Sequence, residues 1–260
     1  MFLFSDRRKD ILMGKALLIV SGKGGTGKTS LSAGIGAALA ERGINTLLID
    51  ADLGNRSLDI VLGMSESSLF SFADVCMNTV SLENACVKSD SLNKLHLLTA
   101  PLSNGISAIT ETQIKKLISD AKLIFDWVII DCAAGFGREI ELFAPCCDAG
   151  IIVSTQDSTA LRGAEKMSAY LIDKCALRNV TLAVNRVKRS KMSRFFSKNI
   201  DDAINSVAVP LIGIIPEDSE VFKLAERGLA VLSRKKNRAG LAYYNISQRI
   251  CGQYVPLSFR

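Results

Sequence analysis

Short apolar runs alternate along this chain with longer stretches in which apolar residues recur every three or four positions. The runs at 15–20, 45–50, 95–99, 127–131, 149–154, 180–185 and 211–215 predict strands. The periodic stretches at 28–42, 111–123, 159–174, 218–227 and 239–251 predict helices. The strand runs are apolar throughout rather than alternating, as strands covered on both faces are. The predicted fold class is therefore α/β: a doubly wound, mostly parallel sheet of seven to eight strands with helices on both faces. Gly43 closes the first helix. The stretch 53–94 is the least regular, with helical signals only around Ser68–Cys76 and Ser81–Ala85. No repeat, low-complexity tract or Pro/Gly/Ser linker divides the chain, so a single domain is expected over 14–252. Residues 1–13 form an N-terminal extension to it and 253–260 a short tail.

Composition narrows the class. With 260 residues, 48% of them apolar, the chain can bury a large core and is not globally disordered. A net charge of +6 permits an acidic partner without demanding one. The seven cysteines show no C-x-x-C spacing, which argues against a zinc or cluster site and for reduced thiols packed as small apolar groups. No run spans a bilayer, and the N-terminus places its charges after a very short apolar run, the reverse of a secretory signal. A cytoplasmic protein is expected, with a peripheral membrane contact as a secondary option.

The decisive motif follows the first apolar run. Gly22-Lys23-Gly24-Gly25-Thr26-Gly27-Lys28-Thr29 has the spacing G-x-x-x-x-G-K-[ST] at a strand-to-helix turn. Its backbone N–H groups can close around phosphate oxygens, with Lys28 on the terminal phosphates and the Thr29 hydroxyl on Mg²⁺. Gly22, Gly24 and Gly27 also satisfy G-x-G-x-x-G, with Asp50 placed as a dinucleotide fold would want it. A dinucleotide loop has no use for Lys28-Thr29, however, nor for a second aspartate-bearing strand, Trp127-Val128-Ile129-Ile130-Asp131. Asp50, Asp52 and Asp131 fall at successive strand ends, where carboxylates hold Mg²⁺ or orient an attacking water.

These segments resemble the MinD/ParA family of phosphate-loop ATPases. Lys23-Gly24-Gly25-Thr26-Gly27-Lys28-Thr29 looks like that family's deviant loop, which carries an extra lysine near its start. Leu48-Ile49-Asp50-Ala51-Asp52 through Asp59 is similar to its first switch, and Ile130-Asp131-Cys132-Ala133-Ala134-Gly135 to its second. Ile214-Ile215-Pro216-Glu217-Asp218 is similar to its late loop near the base. The MinD branch is the nearest. The resemblance implies an ATPase that dimerises face to face around two ATP molecules, in the placement of the cell-division site, with slow hydrolysis stimulated by a partner or cargo protein. It implies that Gly22 through Ser30 bind the nucleotide, with Thr29, Asp50 and Asp131 at Mg²⁺ and Asn185, Pro216 and Glu217 at adenine. Catalysis would fall to Lys28, to Asp52 placing the hydrolytic water, and to Lys23 reaching the partner's phosphates.

The chain also departs from that pattern. Ala133 replaces a proline in the second switch, whose continuation Phe136-Gly137-Arg138-Glu139 is atypical. Thr155-Gln156-Asp157 lacks the proline that often follows its strand. No basic amphipathic helix of the MinD kind ends the chain; Phe2-Leu3-Phe4 beside Arg7-Arg8-Lys9 is a weaker candidate anchor. The alternative is a ParA-like DNA-binding role. It rests on Arg186, Lys188, Arg189, Lys191, Arg194 and Lys198, interleaved with Phe195-Phe196 and extended by Arg234-Lys235-Lys236. A metal-cluster carrier of the related scaffold is disfavoured because its paired thiols are missing.

Overall fold

In the computed structural model, the fold is built outward from β1 (Lys15–Ser21), whose residues Ala16 to Ser21 are all buried. Residues 13–53, 55–65, 69–101, 109–188, 204–229 and 237–257 are described. β1 pairs in parallel with β5 (Trp127–Ala134) on one side and β6 (Ala149–Ser154) on the other. Outward from β5 lie β2 (Thr46–Ala51) and β4 (Leu95–Leu98), both parallel. Outward from β6 lie β7 (Val180–Val187) and β8 (Leu211–Pro216). A two-residue strand, β3 (Val87–Lys88), closes the far edge antiparallel to β4. The order is β3-β4-β2-β5-β1-β6-β7-β8 in one eight-stranded, mostly parallel sheet, and seven of the strands fall on the predicted apolar runs.

Alternate side chains of β1 enter two separate cores. Leu17 and Ile19 meet α1 (Lys28–Glu41), α2 (Leu58–Leu62), α8 (Ser219–Glu226) and α9 (Arg238–Ile250). Ala16, Leu18 and Val20 face α3 (Phe72–Cys76), α4 (Leu82–Ala85), α5 (Glu111–Ile124), α6 (Arg138–Phe143) and α7 (Ser158–Ala169). α1 is buried almost all round because the sheet lies under it and α9 lies against it. Gly34 makes that contact possible: a Cβ there would stand 2.2 Å from the ring of Tyr243 on α9. Tyr243 is 1% exposed, so the ring seals the helix pair.

The structure refines the predicted elements. The helix expected over 159–174 stops at Ala169 and continues as a π-helical turn, Tyr170–Lys174. The irregular stretch 53–94 holds α2, α3, α4 and β3, elements too short to show periodicity. β5 runs three residues past the expected end at Asp131. All seven cysteines are free, with Cys76, Cys132 and Cys175 buried as small apolar groups. Among the described residues no helix is long and apolar enough to cross a membrane.

His96, the single histidine of the chain, sits on β4 with its ring 5.1 Å from that of Phe125. Its Nδ1 is buried without a partner. Burial, with smaller contributions from Lys88 and Lys94, holds its pKa below the ordinary value, against a hydrogen bond to the Thr46 backbone. The unfolded chain therefore binds a proton that the folded chain refuses. Stability is lost as pH falls through about 6.5 toward the lower folded value. The lone imidazole resonance should titrate by NMR with a midpoint below 6.5, and His96→Phe should flatten the acid limb of stability below about pH 6.5.

Candidate nucleotide site

The loop Gly22–Gly27 joins the end of β1 to the start of α1, so its amides and the helix dipole converge on one point. Gly27 takes φ +91°, a left-handed conformation that a side chain would strain. Asn185, buried on β7, props the loop from beneath. Its Nδ2 donates to the Thr26 carbonyl at 2.8 Å and its Oδ1 accepts from the Arg186 amide at 2.8 Å. A Cβ on Gly27 would stand 2.2 Å from that Nδ2. Both ends of the Asn185 amide are thus spent inside the protein, on holding the loop.

Pro216 ends β8 and Glu217 follows it, its amide donating to the Val187 carbonyl at 2.9 Å. Lys188 approaches the Glu217 carboxylate at 3.9 Å. Asp218 then ties two helices together, accepting from the Glu220 amide at the start of α8 and, at 2.9 Å, from the Arg238 amide at the start of α9. A cleft of about 420 Å³ runs from Lys23–Thr26 past Thr155–Asp157 to Arg186, Lys188 and Glu217. Of the basic run expected at 186–198, only Arg186 and Lys188 are described, and both line this cleft. Arg189, Lys191, Arg194, Lys198 and Arg234-Lys235-Lys236 lie outside the described residues, as do Phe195-Phe196 and the N-terminal Phe2-Leu3-Phe4.

Beside the loop, Asp50 and Asp131 stand in register on neighbouring strands β2 and β5. Asp50 is 0% exposed and Asp131 1%. Asp50 gathers the first switch around itself, accepting from the amides of Asp52 at 3.0 Å, Ser57 at 3.2 Å and Leu58 at 3.0 Å. The last two are orphan amides at the start of α2, so Asp50 caps that helix. Burial, reinforced by the Asp131 charge, nevertheless pushes the Asp50 carboxyl up to about 7. Asp131 is also pushed up, by burial first and by Asp52 to a lesser degree. Lys28, Thr29 and Ser32 pull the other way, with Ser32 donating to Oδ1 at 2.9 Å. Its Oδ2 is buried without a hydrogen-bond partner. An orphaned carboxylate oxygen, a hydroxyl and a neighbouring carboxylate make an oxygen-only donor set that fits a hard divalent cation.

Lys23 is folded back onto its own chain. Its Nζ lies 3.0 Å from Asp157 Oδ1 and 2.9 Å from Thr159 Oγ1, at the head of α7. Hydroxyls of Thr155 and Thr159, then Lys23, hold the Asp157 carboxyl well below the usual carboxylate range. Lysine and aspartate are each nearly half exposed, so the pair contributes no more than about 1 kcal/mol and is easily exchanged. The atypical second switch packs outward: Phe136 meets Tyr170 edge-on at 5.1 Å, and the Tyr170 hydroxyl donates to Glu141 at 2.8 Å. Sequence reasoning missed Ser32, Asp157 and Thr159. Ser32 alone carried a signal, standing one helical turn after Lys28.

The nucleotide-binding domain shared by CobQ, CobB, MinD and ParA matches residues 17–231. The chain belongs to this family. It is 35% identical over 246 residues to the septum site-determining protein MinD of Bacillus subtilis, covering 94% of this chain and 92% of that one. Among solved structures it is similar to MinD in a MinC:MinD cell division protein complex from Aquifex aeolicus, at 30% identity and a TM-score of 0.85, covering 95% of this chain and 99% of that one. It is likewise similar to MinD from Pyrococcus horikoshii complexed with Mg-ADP, at 26% identity and a TM-score of 0.78, covering 92% and 96%. The expected MinD/ParA phosphate-loop fold is borne out, and the relatives support the expected MinD-like ATPase of cell-division positioning.

If Asp131 is kept charged for a cation, Asp131→Asn should relieve its repulsion with Asp50. The nucleotide-free variant should melt at or above the wild-type temperature in EDTA. The additional stabilisation by Mg-nucleotide should fall to less than half the wild-type shift, read by thermal denaturation.

Proposed function

We propose that this protein is a MinD-like ATPase that binds Mg-ATP, dimerises around it and hydrolyses it slowly in placing the cell-division site. The observation that carries the reading is Lys23, a lysine at the loop entrance held only by an exchangeable, half-exposed contact. Its release from Asp157 frees a cation to reach the phosphates bound by a second copy, where it meets the negative charge that develops during phosphoryl transfer.

Within one protomer, the amides of Gly22 through Thr29 and the Lys28 ammonium grip the phosphates, with Ser30 in the first turn of α1 behind them. Thr29, Asp50 and Asp131 are the residues that would hold Mg²⁺. When bound, the ion neutralises phosphate oxygens. Asp52 follows directly on Asp50, and its amide is fixed by the Asp50 carboxylate, which suits it to orient water. Pro216 and Glu217 flank the base, with Asn185 between that loop and the phosphates. The relative in the MinC:MinD complex supports an activating partner protein for this chain too. We place the protein in the cytoplasm. Arg186 and Lys188 line the nucleotide cleft, which favours nucleotide over DNA as their ligand.

Size-exclusion chromatography with light scattering tests this directly. Wild type should elute at the monomer mass with ADP and at twice that mass with ATP. Asp52→Ala should still dimerise with ATP while its turnover drops by tenfold or more, and Lys23→Ala should stay monomeric in both. A Lys23→Ala protein that dimerises and turns over like wild type would remove the cross-interface role.

A further inference from the structure

Buried polar atoms without partners are rare in folded proteins, and each asks for an explanation. Among the described residues there are four such side-chain atoms: Thr26 Oγ1, His96 Nδ1, Asp131 Oδ2 and Gln156 Nε2. His96 lies at the far edge of the sheet, and Asp131 Oδ2 belongs to the cation site. The other two residues line one and the same cleft, on the loops that follow the neighbouring parallel strands β1 and β6. Thr26 is 3% exposed.

The Gln156 Nε2 carries only N–H groups and needs an acceptor. Acceptors on residues lining the same cleft already take other donors. The Thr26 carbonyl takes the Asn185 amide. Asp157 Oδ1 takes Lys23, Thr159 and the Ala160 amide, and Oδ2 takes Thr155. An acceptor can come from what enters the cleft, and a nucleoside triphosphate presents oxygen acceptors along its whole phosphate chain. Resting on the nucleotide reading of this site, we propose that Gln156 is a nucleotide-recognition residue, donating from Nε2 to an oxygen of the bound nucleoside triphosphate with the Thr26 hydroxyl as its companion. The segment Thr155-Gln156-Asp157 lacks the proline that often follows this strand in the MinD/ParA pattern, and offers a carboxamide.

The test is Gln156→Met, which keeps the shape and removes the donor. Removing an unpaired buried donor should leave the melting temperature of the nucleotide-free protein unchanged or raised, whereas loss of a merely structural residue would lower it. The dissociation constant for a non-hydrolysable ATP analogue with Mg²⁺ should rise roughly 5- to 10-fold. Gln156→Glu, which turns a carboxylate toward the ligand, should weaken it further and serves should the methionine variant fold poorly. Inorganic triphosphate as a second probe locates the acceptor: weakening with both ligands places it on a phosphate, weakening with the ATP analogue alone on the sugar or base. If wild type binds the analogue and both variants bind it equally well, the proposal is overturned. Wild type that bound no nucleotide would instead remove the reading of the site itself.

Discussion

Two carboxylates in register on adjacent strands, both cut off from water, form the constraint around which this site is organised. Neither Asp50 nor Asp131 can be ionised comfortably while the other is, and burial penalises each charge separately. A hydrophobic pair at those positions would stabilise the sheet, so the arrangement makes sense only as a cost offset by something that binds. The protein recovers part of that cost locally: Asp50 accepts three amides of the first switch, and Asp131 leans on Ser32 and Lys28. What is left over is an unpaired oxygen and a raised carboxyl, an excess of negative charge that a divalent cation would neutralise. The segment after β2 is ordered by the same carboxylate, because α2 begins on Asp50.

The phosphate loop depends on this constraint less than on its neighbours. Its sharp turn at Gly27 is sterically matched to Asn185 on β7, two strands away from β1, so the loop is preformed rather than assembled by its ligand. Against that rigid cradle, Lys23 is the loose part. Its contacts with Asp157 and Thr159 are half-exposed and weak. Rigid grip and exchangeable lysine together suit a switch better than a fast enzyme.

Much of this was legible in the chain itself. Seven of the eight strands follow from uninterrupted apolar runs, since only strands covered on both faces read that way. Gly22–Thr29 and the three aspartates were legible because their chemistry demands fixed spacing. The short elements were not: α2 consists of five residues whose helical start depends on a carboxylate from β2, and β3 of two residues that exist only through pairing with β4. Periodicity cannot register elements whose support comes from elsewhere. The same limit hid the π-helical end of α7, where Tyr170 is engaged by Glu141 and Phe136 across space. It also hid Asp157 and Thr159, which matter through a lysine more than a hundred residues earlier in the chain.

Asp218 carries a consequence for motion. One carboxylate caps α8 and, twenty residues later in the chain, also caps α9, so the loop after β8 and the head of the last helix share a single fastening. That helix closes over Gly34 through Tyr243 and ends beside Arg42, whose guanidinium donates to the Ser247 carbonyl and to Gln253 at the opposite end of the molecule. A ligand that stiffens the loop beyond Pro216 therefore slows local opening along the full length of α9. Amide protons near Ser247 become distant reporters of what occupies the cleft.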